Sequence, residues 1–255
     1  MIDNGDMTTP QHQPTAPVPA AQLLVMPLHA ITEIHGEAGL RRRLALELDR
    51  LPIDARRVVG DAADWAAQLH AHQRRTREPY LNHLLRVTLR ILCYYRITDP
   101  DVLVAAVLHD AVEDQPWAMI GLPPGHGPPP RDQALAVITD RYGRRVAQLV
   151  NAVTNPEHQA GVDRTRQYVD HLATALAAEP WARVIKLSDF TDNGVGIIHT
   201  IGPKVQRSAR KYTSAVPVLR DLLDRPDTPL DPSVKDHIHR QLDLAEERFS
   251  AILAA

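Results

Sequence analysis

Apolar residues recur at helical spacing along most of this chain, and strand-like alternation is scarce. Leu40, Leu44, Leu46 and Leu48 rise from a charged background between Glu37 and Leu51. From Asp54 to Gln73, an apolar face is supplied by Ala62, Ala63, Trp65, Ala66 and Leu69. Leu85, Leu89 and Leu92 mark a further helix over Asn82–Tyr95. Asp99-Pro100 then predicts a helix start, with Asp99 as N-cap and Pro100 in the first turn, followed by Val102, Val104, Val107 and Leu108. The pattern resumes over Asp132–Val153, Tyr168–Ala178, Trp181–Asn193, Gln206–Leu223 and Asp231–Leu253. These elements predict an all-α fold, a compact orthogonal helical bundle rather than a long parallel one.

Two stretches depart from the pattern. Residues 1–22, rich in Pro, Gln, Thr and Asn, are expected to be a disordered tail, with 23–255 forming a single domain. Leu23-Leu24-Val25-Met26 is a short apolar patch at the junction. The prolines and glycines of Gly121–Arg131 forbid helix or strand, so that stretch is expected to be a mobile surface loop, with His126 solvated.

Composition narrows the function classes. The 255 residues carry 29 Lys and Arg against 31 Asp and Glu, a formal net charge of −2, which points to neither nucleic acid nor an anionic membrane. A single cysteine, Cys93, excludes an internal disulfide and a cysteine-rich metal site, and its apolar neighbours make it a core thiol. There is no apolar run long enough to cross a bilayer and no signal-peptide pattern, so a cytoplasmic protein is expected.

The chemistry concentrates in Val107-Leu108-His109-Asp110-Ala111-Val112-Glu113-Asp114, where a His-Asp and a Glu-Asp doublet interrupt an apolar run. Charged side chains are seldom buried unless paired or coordinated. Within one helix, His109 and Glu113 are four residues apart, as are Asp110 and Asp114, so each pair is expected to stack on one side. His83 precedes this run, and Lys186-Leu187-Ser188-Asp189-Phe190-Thr191-Asp192-Asn193 follows it. Two imidazoles and two carboxylates suit a hard divalent metal such as manganese, with two carboxylates left to handle a water. That inventory predicts metal-assisted hydrolysis. By spacing alone, Arg74 and Arg75 belong to a solvated loop.

Over about Asp61–Leu223 the chain resembles the HD-type hydrolase domain of the Rel/Spo family, which degrades guanosine tetra- and pentaphosphate alarmones. The residues that carry the resemblance are Gln73-Arg74-Arg75, Tyr80-Leu81-Asn82-His83, Leu108–Asp114, Tyr142-Gly143-Arg144-Arg145-Val146, Leu149–Thr154 and Lys186–Asn193, in the family's order and spacing. It is similar to the small members that lack a synthetase domain. The resemblance implies that His83, His109, Asp110 and Asp189 hold one metal, usually Mn2+, and that Glu113 and Asp114 position and deprotonate the attacking water. It also implies that Asn193 holds the nucleotide and that Arg74 and Arg75 line its phosphates. Lys204, Lys211 and Tyr212 fall in the segment that borders the pocket in relatives.

The sequence departs from that pattern in two places. Leu84 stands where the family has proline. Asp192 stands where relatives carry histidine, and Gly194-Val195-Gly196-Ile197 replaces a Met-Arg-Thr-like run, removing a basic and a hydroxyl contact near the nucleotide. The departures leave two other readings open. One is an HD-superfamily phosphohydrolase acting on a different nucleotide, and the other is a regulatory protein whose catalysis has decayed.

Overall fold

The computed structural model describes residues 18–254. Its elements are α1 (Ala20–Val25), α2 (Leu28–Leu48), α3 (Ile53–Leu69), α4 (Leu81–Cys93), α5 (Pro100–Val107), α6 (Ala111–Asp114) and α7 (Pro116–Met119). They continue with α8 (Arg131–Tyr142), α9 (Arg144–Val153), α10 (Arg164–Ala178), α11 (Pro180–Gly194), a 3-10 turn (Val195–His199), α12 (Lys204–Asp224) and α13 (Pro232–Ala254). Among the described residues there is no strand, and one antiparallel bridge pairs Arg74 with Pro79. The all-α expectation holds. Of the stretch expected to be a disordered tail, residues 1–17 lie outside the described residues, and Ala20–Gln22 open α1. The apolar patch beside them has a structural role: Leu23 is buried in the core.

Two helices form the centre. Every residue of α4 from Leu81 to Leu92 is buried, as is every residue of α11 from Ala182 to Asp192. A helix buried on all sides is enclosed by its neighbours rather than laid on a surface. α4 packs against α2, α5 and α11, and α11 also touches α9, α12 and α13. A continuous hydrophobic cluster runs from Leu23 to Phe249 around this pair. The central helices nonetheless carry charged residues, His83, Arg86 and Arg90 on α4 and Arg183, Lys186, Asp189 and Asp192 on α11, all buried. Their pairing determines the site.

Several ends follow the local rules. Asp99 accepts a hydrogen bond from the Asp101 amide at 3.0 Å, with Pro100 in the first turn of α5. α3 stops at Leu69, short of the expected Gln73, because the chain folds back on itself. The Tyr80 amide reaches the Gln73 carbonyl at 3.1 Å and the Arg75 amide reaches that of Glu78 at 2.9 Å. This turn carries Arg74 and Arg75 to the mouth of the site.

α2 begins nine residues before the expected Glu37. Gly36 divides it, with φ 59° and ψ −150°, and the helix resumes at Glu37. That conformation is nearly exclusive to glycine. Gly36→Ala is therefore expected to destabilise the fold by about 1–3 kcal/mol, measured by urea denaturation. An unchanged midpoint would mean that the backbone relaxes there without strain.

One expectation is corrected. His109 and Asp110 do not lie inside one continuous helix with Glu113 and Asp114. α5 ends at Val107, Leu108 and Asp110 adopt φ near −100° with ψ near zero, and α6 starts at Ala111. The cause is local. His109 Nδ1 takes the Ala106 carbonyl at 2.8 Å, and the Ala111 amide closes a tight turn onto the Leu108 carbonyl at 2.9 Å.

Candidate active site

His83 sits in the first turn of α4 and is fully buried. Its Nδ1 lies 2.8 Å from Asp192 Oδ2. Its Nε2 lies 3.3 Å from Asp189 Oδ1 and 3.6 Å from Asp110 Oδ2. His109 is buried in the break between α5 and α6. Because a carbonyl can only accept, Nδ1 is the protonated nitrogen that bonds Ala106, and Nε2 points the other way. That Nε2 lies 3.2 Å from Asp110 Oδ2 and 3.6 Å from Asp189 Oδ1. Ligand atoms from His83, His109 and Asp189 all fall within 4.8 Å of one another.

Neither Nε2 has a well-aligned hydrogen-bond partner, although both are buried. Two buried imidazole nitrogens without partners, aimed at two carboxylates, are costly as they stand. They fit a divalent cation, which takes neutral imidazole and carboxylate together. Burial works against a charge on His109, but the Asp110 and Asp189 carboxylates outweigh it and push the ring's pKa up. Burial likewise opposes the charge on Asp110 and Asp189. His109 in the first case, and Lys186 with the imidazoles in the second, keep both carboxyls well below the usual range.

Further hydrogen bonds fix the carboxylates. Tyr80 donates its hydroxyl to Asp110 Oδ2 at 2.7 Å. Asn193 donates its amide to Asp189 Oδ1 at 2.6 Å, and Lys186 Nζ lies 2.9 Å from Asp189 Oδ2. Tyr80, Lys186 and Asp192 were assigned no role from the sequence. Spacing offered a signal for two of them: Tyr80 is one turn before His83, and Asp192 one turn after Asp189.

The Asp114 amide keeps the i,i+4 bond to the Asp110 carbonyl at 2.9 Å, and the Glu113 and Asp114 carboxylates each find further partners. Glu113 Oε2 accepts from the backbone amide of Asn155 at 3.0 Å and from its side chain at 2.9 Å. Burial, reinforced by Asp110, pushes the Glu113 carboxyl up. Asp114 is exposed and accepts from Gln73 at 2.7 Å. As consecutive residues of α6, the two carboxylates point about 100° apart and so meet different neighbours.

A cavity of about 690 Å³ adjoins this cluster and meets it at Asn193. Arg74, Arg75, Arg77 and Lys204 line it, together with Tyr212 from α12 and His29, Thr32 and Glu33 from α2. Arg75 donates to Asn193 Oδ1 at 2.7 Å, so Arg75, Asn193 and Asp189 form a continuous polar path from cavity to cluster. Of the three α12 candidates, Lys204 and Tyr212 face the cavity. Lys211 instead lies 3.9 Å from the centre of the Tyr168 ring. His29 stacks on His199 at 4.4 Å between ring centres. The loop between α7 and α8 does not line the cavity, and His126 within it is exposed.

Comparison with known proteins agrees with this geometry. The family described as "HD domain" matches residues 62–193, just over half of the chain. The chain is 36% identical over 133 residues to the mouse protein named guanosine-3′,5′-bis(diphosphate) 3′-pyrophosphohydrolase MESH1, covering 51% of this chain and 63% of that one. It is 31% identical over 159 residues to an Aquifex aeolicus guanosine-3′,5′-bis(diphosphate) 3′-pyrophosphohydrolase, covering 62% of this chain and 20% of the relative. It thus spans less than two thirds of these curated relatives. A solved structure described as a metazoan ortholog of SpoT that hydrolyzes ppGpp superposes with a TM-score of 0.53 at 25% identity, covering 73% of this chain and 96% of the other.

Proposed function

The chain belongs to the HD domain family, and from that premise we propose that it is a phosphohydrolase removing the 3′-pyrophosphate of guanosine tetra- and pentaphosphate with one divalent cation, Mn2+. The observation that carries this reading is the convergence of two unpartnered buried imidazole nitrogens and two carboxylates beside an arginine-lined cavity. The names of the relatives supply the substrate class. In this reading the described residues are one HD-type hydrolase domain with a small nucleotide substrate. No described helix is long and apolar enough to cross a membrane, and a cytoplasmic site of action fits a nucleotide substrate.

His83, His109, Asp110 and Asp189 hold the cation. Bound there, it supplies Lewis-acid polarisation of a phosphate oxygen and a lowered pKa for water. Arg74 and Arg75 offset the charge of the phosphates, and Asn193 holds the nucleotide while steadying Asp189. Glu113 and Asp114 position the attacking water and take its proton. Attack falls on the phosphorus bonded to the ribose 3′ oxygen. That P–O bond breaks, and pyrophosphate leaves with guanosine di- or triphosphate as the other product.

The test is pyrophosphate release from guanosine tetraphosphate with added Mn2+. Release matched by guanosine diphosphate supports the reading. A protein that binds Mn2+ and releases none supports the second reading, an HD phosphohydrolase for a different nucleotide. The segment Asp192–Ile197 favours that alternative, because it holds no basic or hydroxyl side chain to contact a nucleotide. Arg75→Ala is expected to raise KM about 10- to 100-fold, since a charge-assisted hydrogen bond contributes about 1.5–3 kcal/mol. A change confined to kcat would argue that Arg75 acts on the transition state alone.

A further inference from the structure

We propose that Asp192 is a positioning residue for the metal cluster, fixing His83 so that its Nε2 lone pair faces Asp110 and Asp189. The inference rests on the metal-binding reading above and adds a residue outside the ligand set. Its basis is the contact between the two central helices. His83, Arg86 and Arg90 lie at i, i+3 and i+7 on one face of α4, and Asp189 and Asp192 lie one turn apart on α11. The His83 ring therefore lies between two carboxylates, with Nε2 3.3 Å from Asp189 and Nδ1 2.8 Å from Asp192. A carboxylate at Nδ1 holds the proton on that nitrogen and leaves the lone pair on the other.

Asp192 can set the ring because it is itself held. Arg86 grips it bidentately, Nε to Oδ1 at 2.9 Å and a second nitrogen to Oδ2 at 2.9 Å, and Arg90 adds a contact at 3.2 Å. The far side of the Arg86 guanidinium is clamped by Glu78 through two bonds of 2.7 Å and by Thr32 at 3.1 Å. The Asp192 side chain is buried behind the cavity wall, where Arg75 and His29 approach it at 3.9 and 3.6 Å, and its shortest contacts are those to His83 and Arg86, so it acts through His83. Arg86 and Arg90 supply the charge that allows the Asp192 carboxylate to be buried.

The experiment is calorimetric titration of the metal-free full chain with Mn2+, comparing wild type, Asp192→Asn, Arg86→Lys and His83→Ala, with circular dichroism to establish folding. Asp192→Asn is expected to weaken Mn2+ binding on the order of 10- to 100-fold. Arg86→Lys, which keeps the charge but loses the fork, weakens it less and in the same direction, and it decides the question if Asp192→Asn fails to fold. A purely structural Asp192 would lower the melting temperature and leave Mn2+ affinity unchanged. Folded variants that bind Mn2+ as tightly as wild type overturn the positioning role and leave the metal reading standing. A wild type that binds no Mn2+, or binds it equally after His83→Ala, overturns the metal reading and this inference with it.

Discussion

Asp110→Ala is expected to reduce Mn2+-dependent pyrophosphate release by about a thousandfold or more. Asp110 Oδ2 is the carboxylate oxygen that faces both imidazoles, 3.2 Å from His109 Nε2 and 3.6 Å from His83 Nε2. It is also the acceptor for the Tyr80 hydroxyl. Alanine removes one of the four proposed ligands and leaves the half-buried Tyr80 phenol without its partner. Metal chemistry of this kind contributes several kcal/mol to the transition state, and each 1.4 kcal/mol is about tenfold in rate. Chelation of the wild type is expected to produce the same loss, with recovery on adding Mn2+. The variant should not recover at Mn2+ levels that saturate the wild type. Metal content by mass spectrometry and pyrophosphate release should fall together. A variant with wild-type metal content and rate would remove Asp110 from the site.

Much of the fold was legible because it depends on local pattern. The spacing of Leu85, Leu89 and Leu92 marks α4, and Asp99-Pro100 marks the start of α5. Boundaries set by distant partners were not legible. α3 ends at Leu69 because the following turn bonds back through Gln73 and Tyr80, and nothing in the sequence near Leu69 announces that. The break at Leu108–Asp110 has the same character. Its apolar flanks predict an unbroken helix, but the His109 ring takes the Ala106 carbonyl and stops it.

The candidate site divides similarly. Ligand atoms of His83, His109 and Asp189 come within 4.8 Å of one another, with Asp110 Oδ2 3.2 and 3.6 Å from the two imidazole nitrogens, because α4 and α11 are buried against each other. Which atoms face the cluster was beyond the sequence, since it depends on what occupies each Nδ1. Asp192 illustrates the limit. From the sequence it appeared as the loss of a basic contact, whereas in the fold it is the hydrogen-bond partner of His83 and of two arginines. Only the tertiary arrangement brings residues 83, 86, 90 and 192 to one point.

The same arrangement makes Arg86 the largest expected stability effect. Arg86→Met is expected to destabilise the protein by about 3–5 kcal/mol, a fall in melting temperature of about 10 °C for a chain of this size. Arg86 is 2% exposed and ranks among the largest fully buried side chains. Methionine fills much of its volume, so the loss comes from charge and hydrogen bonds rather than from a cavity. Asp192 keeps Arg90 and His83, with Arg75 and His29 farther off at 3.9 and 3.6 Å, and Glu78 keeps Asn82. Breaking a buried pair by removing one partner leaves a charge uncompensated, which is why the cost exceeds that of an exposed ion pair. The pH dependence has a definite sign. Burial opposes the charge on Asp192, but Arg86 outweighs it and holds the carboxyl well below the usual range. A depressed carboxyl stabilises the fold above its unfolded pKa of about 3.9 and loses that contribution as pH falls toward its folded value. The gap between wild type and Arg86→Met is therefore full near neutrality and narrows below about pH 4. Urea denaturation at pH 7 and pH 3.5 measures both quantities. A gap under about 1 kcal/mol at pH 7 would mean that the remaining neighbours, Arg90, His83, Arg75 and His29, can sustain the Asp192 charge.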